Sequence, residues 1–177
     1  MPLFKRKTHE SEVSAPEVEA PRWSFEPVEE ISPEWLNHMV KVWGQEKGKF
    51  IRIGDNLVLV AASRAGGEGP THKAILEHTL KSDNPELKDR IVGSQAVAAA
   101  SGENLLDASG IRDAGRFVIE PGSEGKIKIV TIEGESAGYG KAYPEGRAHT
   151  VEVVKQKLGS DIEVVDNDQG TGVIKYV

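Results

Sequence analysis

Two groups of residues in this chain are suited to chemistry on an anion: a glycine-rich loop with cations close by, and a set of histidines. The loop is Gly134-Glu135-Ser136-Ala137-Gly138-Tyr139-Gly140-Lys141-Ala142, placed after the most hydrophobic run and before a helical pattern. Small residues let the backbone approach an anion, and successive N–H groups can form a concave nest. Lys141 and Arg147 add charge nearby, and the helix start that follows favours a negative group. Neither Gly-x-x-x-x-Gly-Lys-Ser/Thr nor Gly-x-Gly-x-x-Gly occurs, so taken alone the loop reads better as a plain tight turn than as an anion site. His72 and His78 lie six residues apart, on different faces of a helix, which does not suit a shared metal. Asp166-Asn167-Asp168 opens like a calcium loop but lacks the downstream bidentate glutamate, so it reads as a turn. No metal or cofactor is expected.

Composition narrows the field. The chain has 177 residues and no cysteine, which excludes disulfides, a thiolate nucleophile and Cys-ligated zinc or iron–sulfur centres. Twenty-two basic against 28 acidic residues give a net charge of −6. Binding to nucleic acid through counterion release needs a basic surface, so a nucleic-acid partner is not expected. No apolar run approaches a membrane span, and Met-Pro-Leu-Phe-Lys-Arg-Lys lacks the apolar core of a signal peptide. A cytoplasmic protein without integral membrane contact is the expectation.

Elements that position these residues begin near Ser32. Residues 1–32 hold seven glutamates and four prolines with aperiodic apolar residues, and read as a disordered tail. Trp23 and Phe25 within it are candidates for docking on the domain or on a protein partner. Residues 33–177 read as one domain. Ser32-Pro33 caps a helix through Trp35, Leu36, Met39, Val40 and Trp43, closed by Gly44. Phe50–Ile53 and Leu57–Ala62 form a hairpin about Gly54-Asp55-Asn56. Helices follow at 72–81 and from Asn84 to about Ala100, then a loop over 101–112 with a turn around Leu105. Strands at 116–120, 126–133, 162–165 and 173–177 and a helix at 144–158 complete the pattern. The strand at 126–133 is expected to become buried on both faces. Interleaved strands and helices predict an α/β (α+β) domain with a single mixed sheet and helices packed on it.

Residues 112–170 resemble the second half of the Janus family, which includes the phosphohistidine phosphatases. The similar stretches are Ala114-Gly115-Arg116, Lys126-Ile127-Lys128-Ile129, the loop Ser136-Ala137-Gly138-Tyr139-Gly140-Lys141-Ala142, Ala148-His149 with Glu152, and Asn167-Asp168-x-Gly170. The resemblance implies a phosphate site in which Arg116 clamps the phosphoryl group, a task its planar fork suits. The N–H groups of Ala137 and Gly138 would hold other oxygens, with help from the Ser136 hydroxyl. It also implies metal-independent hydrolysis, with a histidine activating water. The chain departs from the family there: the matching register brings Asn84 to the position of that histidine. His78 is the candidate base, provided the 82–112 region is an insertion; a plain helix histidine is the other reading. His149 is expected to be structural. Two functions stand: a Janus-like domain that binds a phosphorylated protein or small phosphate and hydrolyses phosphohistidine, or a catalytically silent interaction domain of the same fold.

Overall fold

The computed structural model describes residues 28–167 apart from 45, 64–69, 102–109, 135 and 137–141. The expected disordered tail over 1–27, the terminal strand at 173–177 and the turn around Leu105 lie outside the described residues. Among the described residues six strands form a single mixed sheet accompanied by four α-helices, the α+β class that the interleaved pattern predicts.

The first strand corrects the domain boundary. Glu29–Glu30 (β1) pairs antiparallel with Leu57–Ala62 (β3), and Val28 and Ile31 are buried. Glu29 and Glu30, two of the seven glutamates that suggested a solvated tail, are part of the fold. Glu30 accepts two hydrogen bonds from Arg90, at 2.6 and 3.1 Å, and one from Lys157 at 2.6 Å. Burial alone would raise its pKa, but these two cations outweigh it and hold the carboxyl below its ordinary value. A lowered folded pKa contributes stability that is present above the unfolded value and lost as pH falls through the folded one. Glu30→Gln should therefore cost about 1.5–3 kcal/mol at pH 7, and the gap to wild type should shrink below about pH 4. Urea unfolding at the two pH values checks this; a gap independent of pH would contradict it.

Pro33–Trp43 (α1) forms as its caps direct. The Ser32 hydroxyl accepts from Trp35 N at 3.1 Å, and Gly44, at φ +63°, donates back to Met39 and Val40. Its buried face of Trp35, Leu36 and Met39 belongs to a core shared with Phe50, Val60, Phe117, Val130 and Ile132. Trp35 meets Phe117 edge-on at 6.4 Å between ring centroids, so Trp35 is a core residue rather than a ligand platform.

Lys47–Ile53 (β2) and β3 form the hairpin, with Gly54 at φ +60° in the turn. His72–Lys81 (α2) and Pro85–Ser101 (α3) follow. Ile75, Leu76, Leu87 and Ile91 pack on the sheet face that carries Ile51, Leu59 and Ala114, opposite α1. β3 is buried along its whole length because helices cover it on both sides.

Ile111–Pro121 (β4) starts five residues before the expected strand. Asp113 and Gly115 make its first half look like a loop, yet both are buried. A Cβ at Gly115 would lie 2.7 Å from the Glu133 carbonyl oxygen and 2.9 Å from the Phe50 ring, so close approach of strands requires glycine there. The pairing with β2 passes from Arg52–Asp113 to Ile53–Ile111, which leaves Arg112 as the extra residue of a bulge. Ile127–Glu133 (β5) pairs antiparallel with β4. Val130 and Ile132 are buried while Ile129, Thr131 and Glu133 are half-buried, so only one face is fully covered, contrary to expectation. The core built by α2 and α3 contains no residue of β5. Pro144–Leu158 (α4) crosses over on the α1 side to Glu163–Asp166 (β6), which lies parallel to β5. The sheet order is β1-β3-β2-β4-β5-β6.

Candidate functional site

The sheet register sets Lys49, Arg116 and Glu133 opposite one another on β2, β4 and β5. Cross-strand neighbours stand about 5 Å apart at Cβ, so the two cations are adjacent. No ion pair joins either cation to a carboxylate among the described residues. Lys49 is half-buried, and burial together with the Arg116 charge pushes its pKa down. Arg116 is exposed and lies over Gly134, where a Cβ would come within 3.0 Å of Nε and 3.2 Å of Nη2. Gly134 also sits at φ +75°, a backbone conformation that calls for glycine where the chain leaves β5. Two residues on, Ser136 is buried.

His72 opens α2, just after its cap Thr71, and is buried. Its Nε2 lies 2.8 Å from the Gly115 carbonyl oxygen. A carbonyl only accepts, so Nε2 carries the hydrogen and the neutral ring keeps its free lone pair on Nδ1. Burial is the main cause that holds its pKa below the ordinary histidine value, with the charges of Lys49 and Arg116 adding to it. The Gly115 bond and Asp113 oppose the shift without cancelling it. At neutral pH the ring is neutral, a base beside two cations.

A second, buried layer lies on the other side of β4. Arg147 of α4 donates through Nε and Nη2 to the two Asp113 carboxylate oxygens at 2.8 and 3.0 Å, with the guanidinium 5.5 Å from the Phe50 ring centroid. Their side chains are 1% and 0% exposed. The Thr150 hydroxyl donates to Asp113 at 2.7 Å and accepts from Arg52 Nε at 2.9 Å. Arg52 donates further to the Gly54 and Gly146 carbonyls at 2.8 and 3.1 Å.

Several sequence-based expectations meet these coordinates. Arg116 rests against Gly134, and Ser136 is buried two residues beyond it; Ala137, Gly138 and Lys141 lie outside the described residues. Arg147 is committed to Asp113 and is not a free charge at an anion site. His78 is half-buried in the last turn of α2, about 9 Å along the axis from His72 and on a different helical face. Asn84 caps α3, its side-chain oxygen accepting from Leu87 N at 3.1 Å. His149 is exposed and donates to the Asp55 carbonyl at 3.1 Å, a structural contact as expected. Asn167 follows β6 and its amide donates to Glu133 at 3.1 Å, consistent with a turn. Lys49 and His72 are the residues that spacing missed.

Among the described residues no group of three or more metal-ligating side chains occurs, and no helix is long and apolar enough to cross a membrane. A cleft of ≈ 360 Å³ at the β2–β3 turn is lined by Asp55, Arg90, Ser94 and Arg112, the last on β4 ahead of Arg116. No family model, curated protein or solved structure matches the chain.

Proposed function

We propose that this chain is a Janus-like domain that binds a phosphoryl group between Lys49, Arg116 and the loop beginning at Gly134. On this reading it hydrolyses phosphohistidine without a metal, with His72 as general base. The observation that carries the reading is two cations adjacent in register, without carboxylate partners among the described residues, beside a buried histidine held neutral. Such cations stabilise the charge of a phosphoryl group, and a neutral imidazole takes up a proton readily near pH 7.

The reaction follows from those roles. Nδ1 of His72 accepts a proton from a water whose oxygen forms the new bond to phosphorus. The P–N bond breaks, its electron pair stays on the leaving imidazole nitrogen, and that nitrogen takes up a proton. Inorganic phosphate and an unmodified histidine side chain are the products. Arg116 presents a planar fork to two phosphoryl oxygens, whereas Lys49 offers a point charge.

Calorimetric titration with inorganic phosphate tests the binding half. Arg116→Ala should weaken binding about tenfold or more, and Lys49→Ala by a smaller factor. Equal affinity in wild type and both variants would place phosphate elsewhere. Phosphate binding in a wild type that turns over no phosphohistidine would leave the silent interaction domain as the function.

A further inference from the structure

Two lysines on one strand of this sheet meet different surroundings. Lys47 and Lys49 lie on the same face of β2. Lys47 stands opposite Val118 and is exposed, whereas Lys49 stands opposite Arg116 and is half-buried. Ile51, next along that face, shares a core with Ile75 of α2. His72, one turn before Ile75, lies close enough for the charges of Lys49 and Arg116 to act on it. Lys49 therefore meets a cation from β4, a neutral ring from α2 and Ala61 from β3. The carboxylate in its row, Glu133, is one strand further on, beyond Arg116.

Such a setting favours the neutral amine. Burial first, and the Arg116 charge second, hold the Lys49 pKa below the ordinary lysine value. A neutral amine is a nucleophile, and a second cation beside a lysine activates it in this way. The same Arg116 presents parallel N–H groups that suit a phosphoryl group. In an acyl phosphate the reactive carbon is separated from phosphorus by a single oxygen. A donor held by its phosphate at Arg116 thus brings an acyl carbon to the adjacent amine.

We propose that Lys49 is a modification site: small acyl phosphates, held through their phosphate by Arg116, transfer their acyl group to Nζ. The inference rests on the proposed function in taking Arg116 as the phosphoryl ligand. Nζ forms a bond to the acyl carbon. The bond from that carbon to the phosphate oxygen breaks, and its electron pair leaves with inorganic phosphate. The proton lost from nitrogen goes to solvent. The amide formed is uncharged, so acylation removes one of the two cations and weakens the hold on phosphate.

Incubating the full chain with acetyl phosphate at about pH 8, below the ordinary lysine range, and following each lysine by mass spectrometry tests this. Lys49 should react about tenfold or more faster than Lys47. Excess inorganic phosphate, or Arg116→Ala, should remove that advantage. With N-hydroxysuccinimidyl acetate, a donor without phosphate, the advantage should be smaller, because nothing holds it at Arg116. An equal advantage with both donors overturns delivery by Arg116. No advantage with acetyl phosphate, in a protein that binds inorganic phosphate through Arg116, overturns this inference and leaves the proposed function standing. No advantage and no phosphate binding overturns both. Wild type acetylated at Lys49 should bind phosphate more weakly by the factor seen in Lys49→Ala, whereas the same treatment should not shift the affinity of Lys49→Arg. Equal losses in the two would overturn the regulatory consequence.

Discussion

His72→Ala is expected to lower phosphohistidine hydrolysis about 100-fold or more while phosphate binding persists, and His78→Ala is expected to leave the rate within a few-fold of wild type. The magnitude is that of general acid–base catalysis, and a 100-fold loss corresponds to about 2.7 kcal/mol of transition-state stabilisation. Direction follows from the two environments. His72 is buried, hydrogen-bonded through Nε2 to Gly115 and flanked by Lys49 and Arg116, the cations of the proposed site. His78 sits on the last turn of the same helix. Because the folded pKa of His72 is lowered, the folded chain binds fewer protons than the unfolded one just below pH 6.5. Stability therefore rises with pH through that window and the histidine's share is complete above it. The rate should likewise climb as His72 loses its proton, with the acid limb midpoint below pH 6.5 in wild type. Single-turnover kinetics on both variants across pH 5–8 decide the matter. An unaltered rate in His72→Ala would remove it as the base, and a large loss in His78→Ala alone would restore the base expected when the 82–112 region is an insertion.

Why the sequence suggests His78 and Asn84 rather than His72 has a physical explanation. Periodicity and capping report local preferences, and where local preference governs, they read correctly. Ser32-Pro33, Thr71 and Asn84 each start a helix because their side-chain oxygens meet N–H groups three residues on. The hairpin about Gly54 and the helix over 144–158 are legible for the same reason. The first half of β4 is not, because Asp113 and Gly115 owe their place in a strand to a partner 34 residues away and to the close approach of β5. Glu29 and Glu30 mislead similarly: a glutamate that will bind Arg90 and Lys157 has the same letter as one in solvent. Arg116 is legible only through resemblance. Lys49 becomes visible once the β2–β4 register is known, and His72 once α2 is seen to start against Gly115. Both are consequences of tertiary pairing that no window along the chain contains.

The buried layer offers the largest expected change in stability, and the change should be lopsided. Asp113→Ala removes the carboxylate that Arg147 binds through two hydrogen bonds and that the Thr150 hydroxyl links to Arg52. Taking one partner from a buried pair costs about 3–5 kcal/mol, because desolvation of the remaining charge is no longer offset. The loss also strips the Thr150 hydroxyl of its closest acceptor, although the Gly146 carbonyl at 3.1 Å remains for that proton. Arg147→Met differs in kind. It leaves Arg52 opposite Asp113, one charge of each sign, and substitutes an unbranched apolar chain beside Phe50, where the guanidinium now stacks. Asp113→Ala should therefore be the more damaging by about 2 kcal/mol, although both residues belong to the same ion pair. Urea unfolding of the two variants and of the double variant measures this. If the pair were an ordinary one-to-one bridge, the two single losses would be alike and the double variant would recover most of either. With a second guanidinium present, the double variant should stay unstable, since Arg52 would still lack a carboxylate. Equal single losses would mean that Arg52 does not share Asp113.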